Sequence, residues 1–133
     1  MYLRESAKEF DANCTKGGAG NKARLKAIVK RGDEPGLIAY DSNTPVGWVS
    51  VPPREQYVRV LRSPLHKPFD AKENVSSIAC FFIAKSARGQ GVADRLLQAA
   101  LEHATTRGAR TIDAYPIDTD SRQPAAEMWR GSL

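Results

Sequence analysis

The chain has 133 residues, 41% of them hydrophobic and 26% charged, with a formal net charge of +5. That balance suits one globular domain, residues 1–133, around a single core, and it excludes a fibrous or disordered polymer. No apolar run reaches the roughly 18 residues that a bilayer span needs, and the opening MYLRESAKEF is too charged for a secretory signal, so a cytoplasmic protein without a membrane partner is expected.

In chain order, KEFDANC (residues 8–14) reads as a short helix and TKGGAG (15–20) as a break. Asn21 is then placed to cap a second helix that Gly32 ends, with Leu25, Ile28 and Val29 as its apolar stripe. Lys22, Lys26 and Lys30 recur at i, i+4 and i+8, a basic ridge read as a solvated face. GLIAY and VGWVSV are β-rich runs around the turn-forming DSNTP, which predicts an antiparallel hairpin. The proline-interrupted stretch from Pro52 to Val75 is long for a connection, a length that often carries function, and Tyr57, Val60 and Leu61 are spaced for one or two helical turns within it.

SIACFFIA (77–84) is a nearly continuous apolar run, suited to a strand buried on both faces. After it, Val92, Leu96, Leu97, Ala100, Leu101 and Ala104 fall on one face of a helix that Gly108 ends, with Arg107 at its negative pole. RTIDAY resumes a strand up to Pro116. Residues 77–116 therefore read as a βαβ unit with a right-handed crossover and parallel strands. Cys14 and Cys80 are too few and too far apart for a disulfide framework or a zinc site, and no metal is expected.

The stretch SARGQGVADRLLQAA (86–100) sets Arg88, Gly89 and Gly91 directly before that helix. A helix start carries unpaired N–H groups and a partial positive charge, so glycines that admit an anion make it a phosphate site, to which Arg88 adds a cation. No Gly-Lys-Ser/Thr triplet occurs, which removes a Walker loop. A dinucleotide fingerprint fails at its third position, where Asp94 stands in place of a small residue.

Arg88-Gly89-Gln90-Gly91-Val92-Ala93 resembles the R/Q-x-x-G-x-G/A motif of the GCN5-related N-acetyltransferase (GNAT) family. The order of two helices, hairpin, central strand, motif helix and further strand over residues 5–116 is similar to that family's succession. The resemblance implies an α/β fold with a mixed sheet, apparently clipped at both ends, and transfer of an acetyl group from acetyl-CoA to a primary amine by direct attack in a ternary complex. It assigns Phe81, Phe82 and Ile83 to the pantetheine arm, which pairs like an added strand where the fourth and fifth strands splay. Arg88, Gly89, Gln90, Gly91, Val92 and Ala93 fall to the pyrophosphate, and the Ile83 N–H to the oxyanion.

Several relatives carry a glutamate eleven residues before the motif, and here that position is Ser77. Glu73, Asp113 and Glu55 are the alternative bases, and Tyr115 is a possible proton donor to the departing thiolate. Cys80 reads as a core residue, and His66 stands in the loop. The acceptor is a small-molecule or peptide amine. Arg54, Tyr57, Arg59, Arg62 and Lys67 are expected to shape its pocket. Two other classes remain open, a non-catalytic coenzyme A-binding protein and a small basic nucleic-acid-binding protein. The second lacks aromatics interleaved with its basic residues. An open edge at TIDAY predicts a homodimer.

Overall fold

The computed structural model describes residues 2–62 and 73–115. His66, Lys67 and the C-terminal helix expected after Pro124 lie outside the described residues. α1 (Ala7–Asn13) opens on a capping box in which Ser6 and Glu9 satisfy each other's backbone N–H groups. α2 (Thr15–Lys30) starts one residue after α1 ends on Cys14, so TKGGAG enters the helix instead of breaking the chain. Gly17 and Gly18 hold left-handed φ values of 67° and 78° in its first turns, which glycine alone adopts freely. Asn21 is consequently inside the helix, where its side-chain amide donates to Cys14 Sγ, and it caps nothing. Gly32 does close the helix, at φ 87°.

β1 (Gly36–Asp41) and β2 (Thr44–Ser50) form the antiparallel hairpin, with Leu37 opposite Val49 and Ile38 opposite Trp48. A 3-10 turn, Arg54–Gln56, and the short α3 (Val58–Arg62) follow. The apolar run then divides. β3 (Val75–Ile78) is buried throughout and pairs in parallel with β5 (Thr111–Ala114), whereas β4 (Cys80–Ile83) pairs antiparallel with β2. The expectation of one strand buried on both faces is thus corrected in its second half: Phe81 and Phe82, which point to opposite faces, are both exposed at β4, the edge of its sheet among the described residues.

The strands form two sheets, β1-β2-β4 and β3-β5, joined by the Pro53–Ser76 bridge and taken together below as the sheet, and α4 (Val92–Thr106) lies across one face. Val92, Leu96, Ala100 and Ala104 pack with Val46, Val49, Val51, Ile78 and Ala87, burial that contributes about 1.5–3 kcal/mol for each large side chain. The buried stripe is narrower than the periodicity suggests. Leu97 and Leu101 are each 41% exposed, since the helix meets one layer only. Gly108 ends α4, and Ala109 N–H reaches back to Ala104 O at 3.0 Å. Among the described residues no helix is long and apolar enough to cross a membrane, and no cluster of His, Cys, Asp or Glu could hold a metal.

Candidate active site

The site begins with a one-residue mismatch. Pro53 pairs with Ser76 but Ser50 pairs with Cys80, so three steps along one strand answer four along the other: a β-bulge at Ile78–Cys80. The extra residue reverses which peptide groups face which neighbour. Before it, Ser77 N–H donates to Pro52 O at 3.0 Å; after it, Ala84 N–H donates to Val46 O at 2.9 Å. Antiparallel alternation then commits Cys80 and Phe82 to β2 and turns the N–H and C=O of Phe81 and Ile83 to the far side, where no strand lies among the described residues.

That open edge runs into the glycine loop. A 3-10 turn at Lys85–Ala87 carries the chain to Arg88, whose guanidinium Nε donates to Ile83 O at 3.2 Å and so sits at the end of the edge. Gly89 and Gly91 have φ of 72° and 70°, and an added Cβ at either would meet nothing within 4 Å. Open space and left-handed backbone together present the N–H groups of α4's first turn to solvent, with no side-chain cap on Gly91. Gln90 bonds Ser86 O and Arg95 bonds Gln90 O, which fixes the loop without occupying those amides.

The face of the sheet away from α4 holds the polar groups. Ser77 is fully buried and directly opposite Asp113 in register, so the two side chains share a face at one height. Asp113 Oδ2 accepts from Tyr115 O–H at 3.0 Å and from Arg54 Nη1 at 3.4 Å. Its Oδ1 is buried and has no hydrogen-bond partner. Burial, and then the neighbouring Asp113 carboxylate, raise the Tyr115 hydroxyl above its ordinary pKa. Tyr57 O–H donates to Ser50 Oγ at 2.7 Å, whose own proton goes to Pro35 O at 3.0 Å; burial pushes Tyr57 up to about 12. Cys80 is half-buried, and desolvation raises its thiol, which disfavours a thiolate nucleophile.

The candidates sort accordingly. Asp113 and Tyr115 stand together. Glu73 is exposed in the bend two residues before β3, on the other side of Asn74, whose φ is 56°, and Glu55 is exposed too. Of the basic residues expected around an acceptor, Arg59 is buried instead beneath the N-terminal segment, where it donates to Glu5 O at 2.8 Å and stacks on Tyr2 at 4.0 Å. Arg62 is exposed, and Arg54 serves Asp113. The partnership of Arg54 with Asp113 spans 59 residues, and the sequence carries no local signal for it. A separate cavity of about 470 Å³, lined by Arg4, Glu5, Arg24, Arg31, Asp33 and Gln56, includes no residue of the glycine loop.

Residues 4–131 match the family model of the acetyltransferase (GNAT) family. Among solved structures, the chain is similar to an aminoglycoside N-acetyltransferase, AAC(6')-Iy, in complex with CoA, at 17% identity and TM-score 0.56, covering 92% of this chain and 76% of that one. It is similar also to a ribosomal-protein-alanine N-acetyltransferase from Brucella melitensis, at 23% identity and TM-score 0.51, over 85% of this chain and 61% of that one. A third, the aminoglycoside 6'-N-acetyltransferase AAC(6')-IG from Acinetobacter haemolyticus, shares 12% identity at TM-score 0.54, over 94% and 81%. No curated protein sequence matches the chain.

Proposed function

The chain belongs to the GNAT acetyltransferase family, and on that premise we propose that it moves the acetyl group of acetyl-CoA to a primary amine by direct attack, with Asp113 as base and Tyr115 as acid. The observation that carries the reading is the edge of Phe81 and Ile83, which no strand pairs among the described residues, running straight into the start of α4, which has no side-chain cap. An extended amide-bearing arm fits the first and a pyrophosphate the second. Phe81, Phe82 and Ile83 supply the edge strand; Arg88, Gly89, Gln90, Gly91, Val92 and Ala93 supply the loop and its amides. The complex of a similar fold with CoA supports the choice of ligand.

At pH 7 about one alkylamine in two thousand is uncharged, so a base is needed. Asp113 Oδ1, buried and without a partner, can accept the ammonium proton directly or through water. The freed nitrogen then attacks the thioester carbonyl, whose oxygen is met by the outward N–H of Ile83. As the carbon–sulfur bond breaks, Tyr115 gives its proton to the sulfur and recovers one from Asp113 through their 3.0 Å hydrogen bond. The ammonium gives up two protons in all, one to Asp113 before attack and one from the nitrogen as the amide forms; one reaches the thiol and the other passes to solvent, so the count closes. Ser77 cannot act as the base, but Asp113 offers a carboxylate from the next strand at the same height.

The reading is tested by calorimetric titration with acetyl-CoA. Binding at the micromolar level is expected. Arg88→Ala should weaken it tenfold to a hundredfold, the loss of one charge-assisted bond worth roughly 1.5–3 kcal/mol. Unchanged affinity in that variant refutes the phosphate assignment. Heat with a mixed-sequence oligonucleotide and none with acetyl-CoA would favour nucleic-acid binding instead.

A further inference from the structure

The sheet face opposite α4 carries an apolar row that the chemistry above leaves unused. Ile38 on β1 is opposite Trp48 on β2, and Trp48 is opposite Phe82 on β4, so three large apolar side chains line up across three strands. Leu37 and Ala39 pack toward α4, which by alternation puts Tyr40 beside Ile38 on this same face. Ile38, Tyr40 and Phe82 are 50%, 58% and 59% exposed. Large side chains exposed as one contiguous patch mark a binding surface, whereas scattered ones do not.

We propose that Ile38, Trp48 and Phe82, extended by Tyr40, form the acceptor platform, and that the acceptor is a primary monoamine carried on a flat apolar body. The inference rests on the transfer reading above. The row ends on β4, the strand whose edge faces the thioester, and Phe82 is two residues from Cys80 on the same face, about 7 Å. A ring stacked on Phe82 and Trp48 would therefore reach the bulge with its nitrogen through a short aliphatic linker. Charge decides the class. Among the described strand residues of this face Asp113 is the one charged group, and the row itself contains none. A single ammonium can approach the Oδ1 of Asp113, whose Oδ2 is taken by Arg54 and Tyr115, while the further ammonium groups of a polyamine or an amino sugar would lie over apolar surface without a counter-charge.

The test uses the full chain at saturating acetyl-CoA, with phenethylamine, ethylamine and spermidine as acceptors. The kcat/KM for phenethylamine should exceed that for each of the others at least tenfold, and Ile38→Ser should cut the phenethylamine-to-ethylamine ratio about tenfold. Equal or better turnover of ethylamine or spermidine overturns the proposal, as does an unchanged ratio in both Ile38→Ser and Tyr40→Ser. Both positions are solvent-exposed, so both variants should fold. Calorimetry with phenethylamine on the CoA-loaded chain separates the two readings. Saturable heat that Ile38→Ser abolishes, without turnover of any amine, upholds the platform and sinks the transfer chemistry; no heat and no turnover sinks the platform.

Discussion

Asp113→Asn should lower kcat for amine acetylation about a hundredfold or more while the affinity for acetyl-CoA stays within about twofold. The substitution keeps the shape of the side chain and removes its ability to take a proton. Arg54 and Tyr115 keep a neighbour of the same size, so the local packing survives. General bases contribute roughly 10²- to 10⁴-fold, and the buried, unpartnered Oδ1 is the proton acceptor proposed above. The expected signature is a fall in kcat with a rate that recovers as pH rises, because at high pH the amine arrives already deprotonated. A loss smaller than about threefold at pH 7 would return the role to water or to another carboxylate, and Glu73→Gln is the comparison, expected to change little because Glu73 is exposed in the bend before β3.

Ile83→Pro should also cost about a hundredfold in kcat, through the loss of one oxyanion donor. Proline removes the N–H and, on an edge strand whose amide is outside the ladder, leaves the β2 pairing through Phe82 and Ala84 intact. The side chain of Ile83 packs against the core, so some stability is lost as well, and circular dichroism must show a folded chain before the rate is interpreted. Phe81→Pro removes the other outward N–H. It is expected to weaken acetyl-CoA binding severalfold without the large fall in kcat, and the reverse pattern would place the oxyanion donor at Phe81.

Much of the fold could be read in the sequence because local rules decided it. Ser42 and Asn43 turn the hairpin, Gly32 and Gly108 stop their helices, and Gly89 and Gly91 announce the start of α4. The break at TKGGAG was misleading for the same reason that made it plausible. Glycine costs a helix only about 1 kcal/mol each, and α1 packing against α2 can offset that. The bulge at Ile78–Cys80 was invisible, since a run as uniformly apolar as SIACFFIA looks the same in either register, and only pairing with β2 and β5 reveals that it serves two neighbours in turn.

The catalytic candidates were half legible. Asp113 and Tyr115 were each legible as candidates near the end of RTIDAY, but the hydrogen bond between them, with Tyr115 just past β5, emerges only in the structure. What the sequence could not show was that Ser77 and Asp113 are opposite each other, or that Arg54 arrives from the far end of a long connection. Glu73 is close to Ser77 in sequence, and only the turn at Asn74, with its φ of 56°, sets it outside β3.

Amide hydrogen exchange, measured residue by residue with and without CoA, tests the central claim most directly. If CoA completes the sheet at β4 and caps α4, the amides of Phe81 and Ile83 and those of Val92 and Ala93 should exchange more slowly in its presence, while Phe82, already bonded to β2, should change little. Protection that falls equally on Phe81, Phe82 and Ile83, or that spares the edge and the loop altogether, would contradict the account.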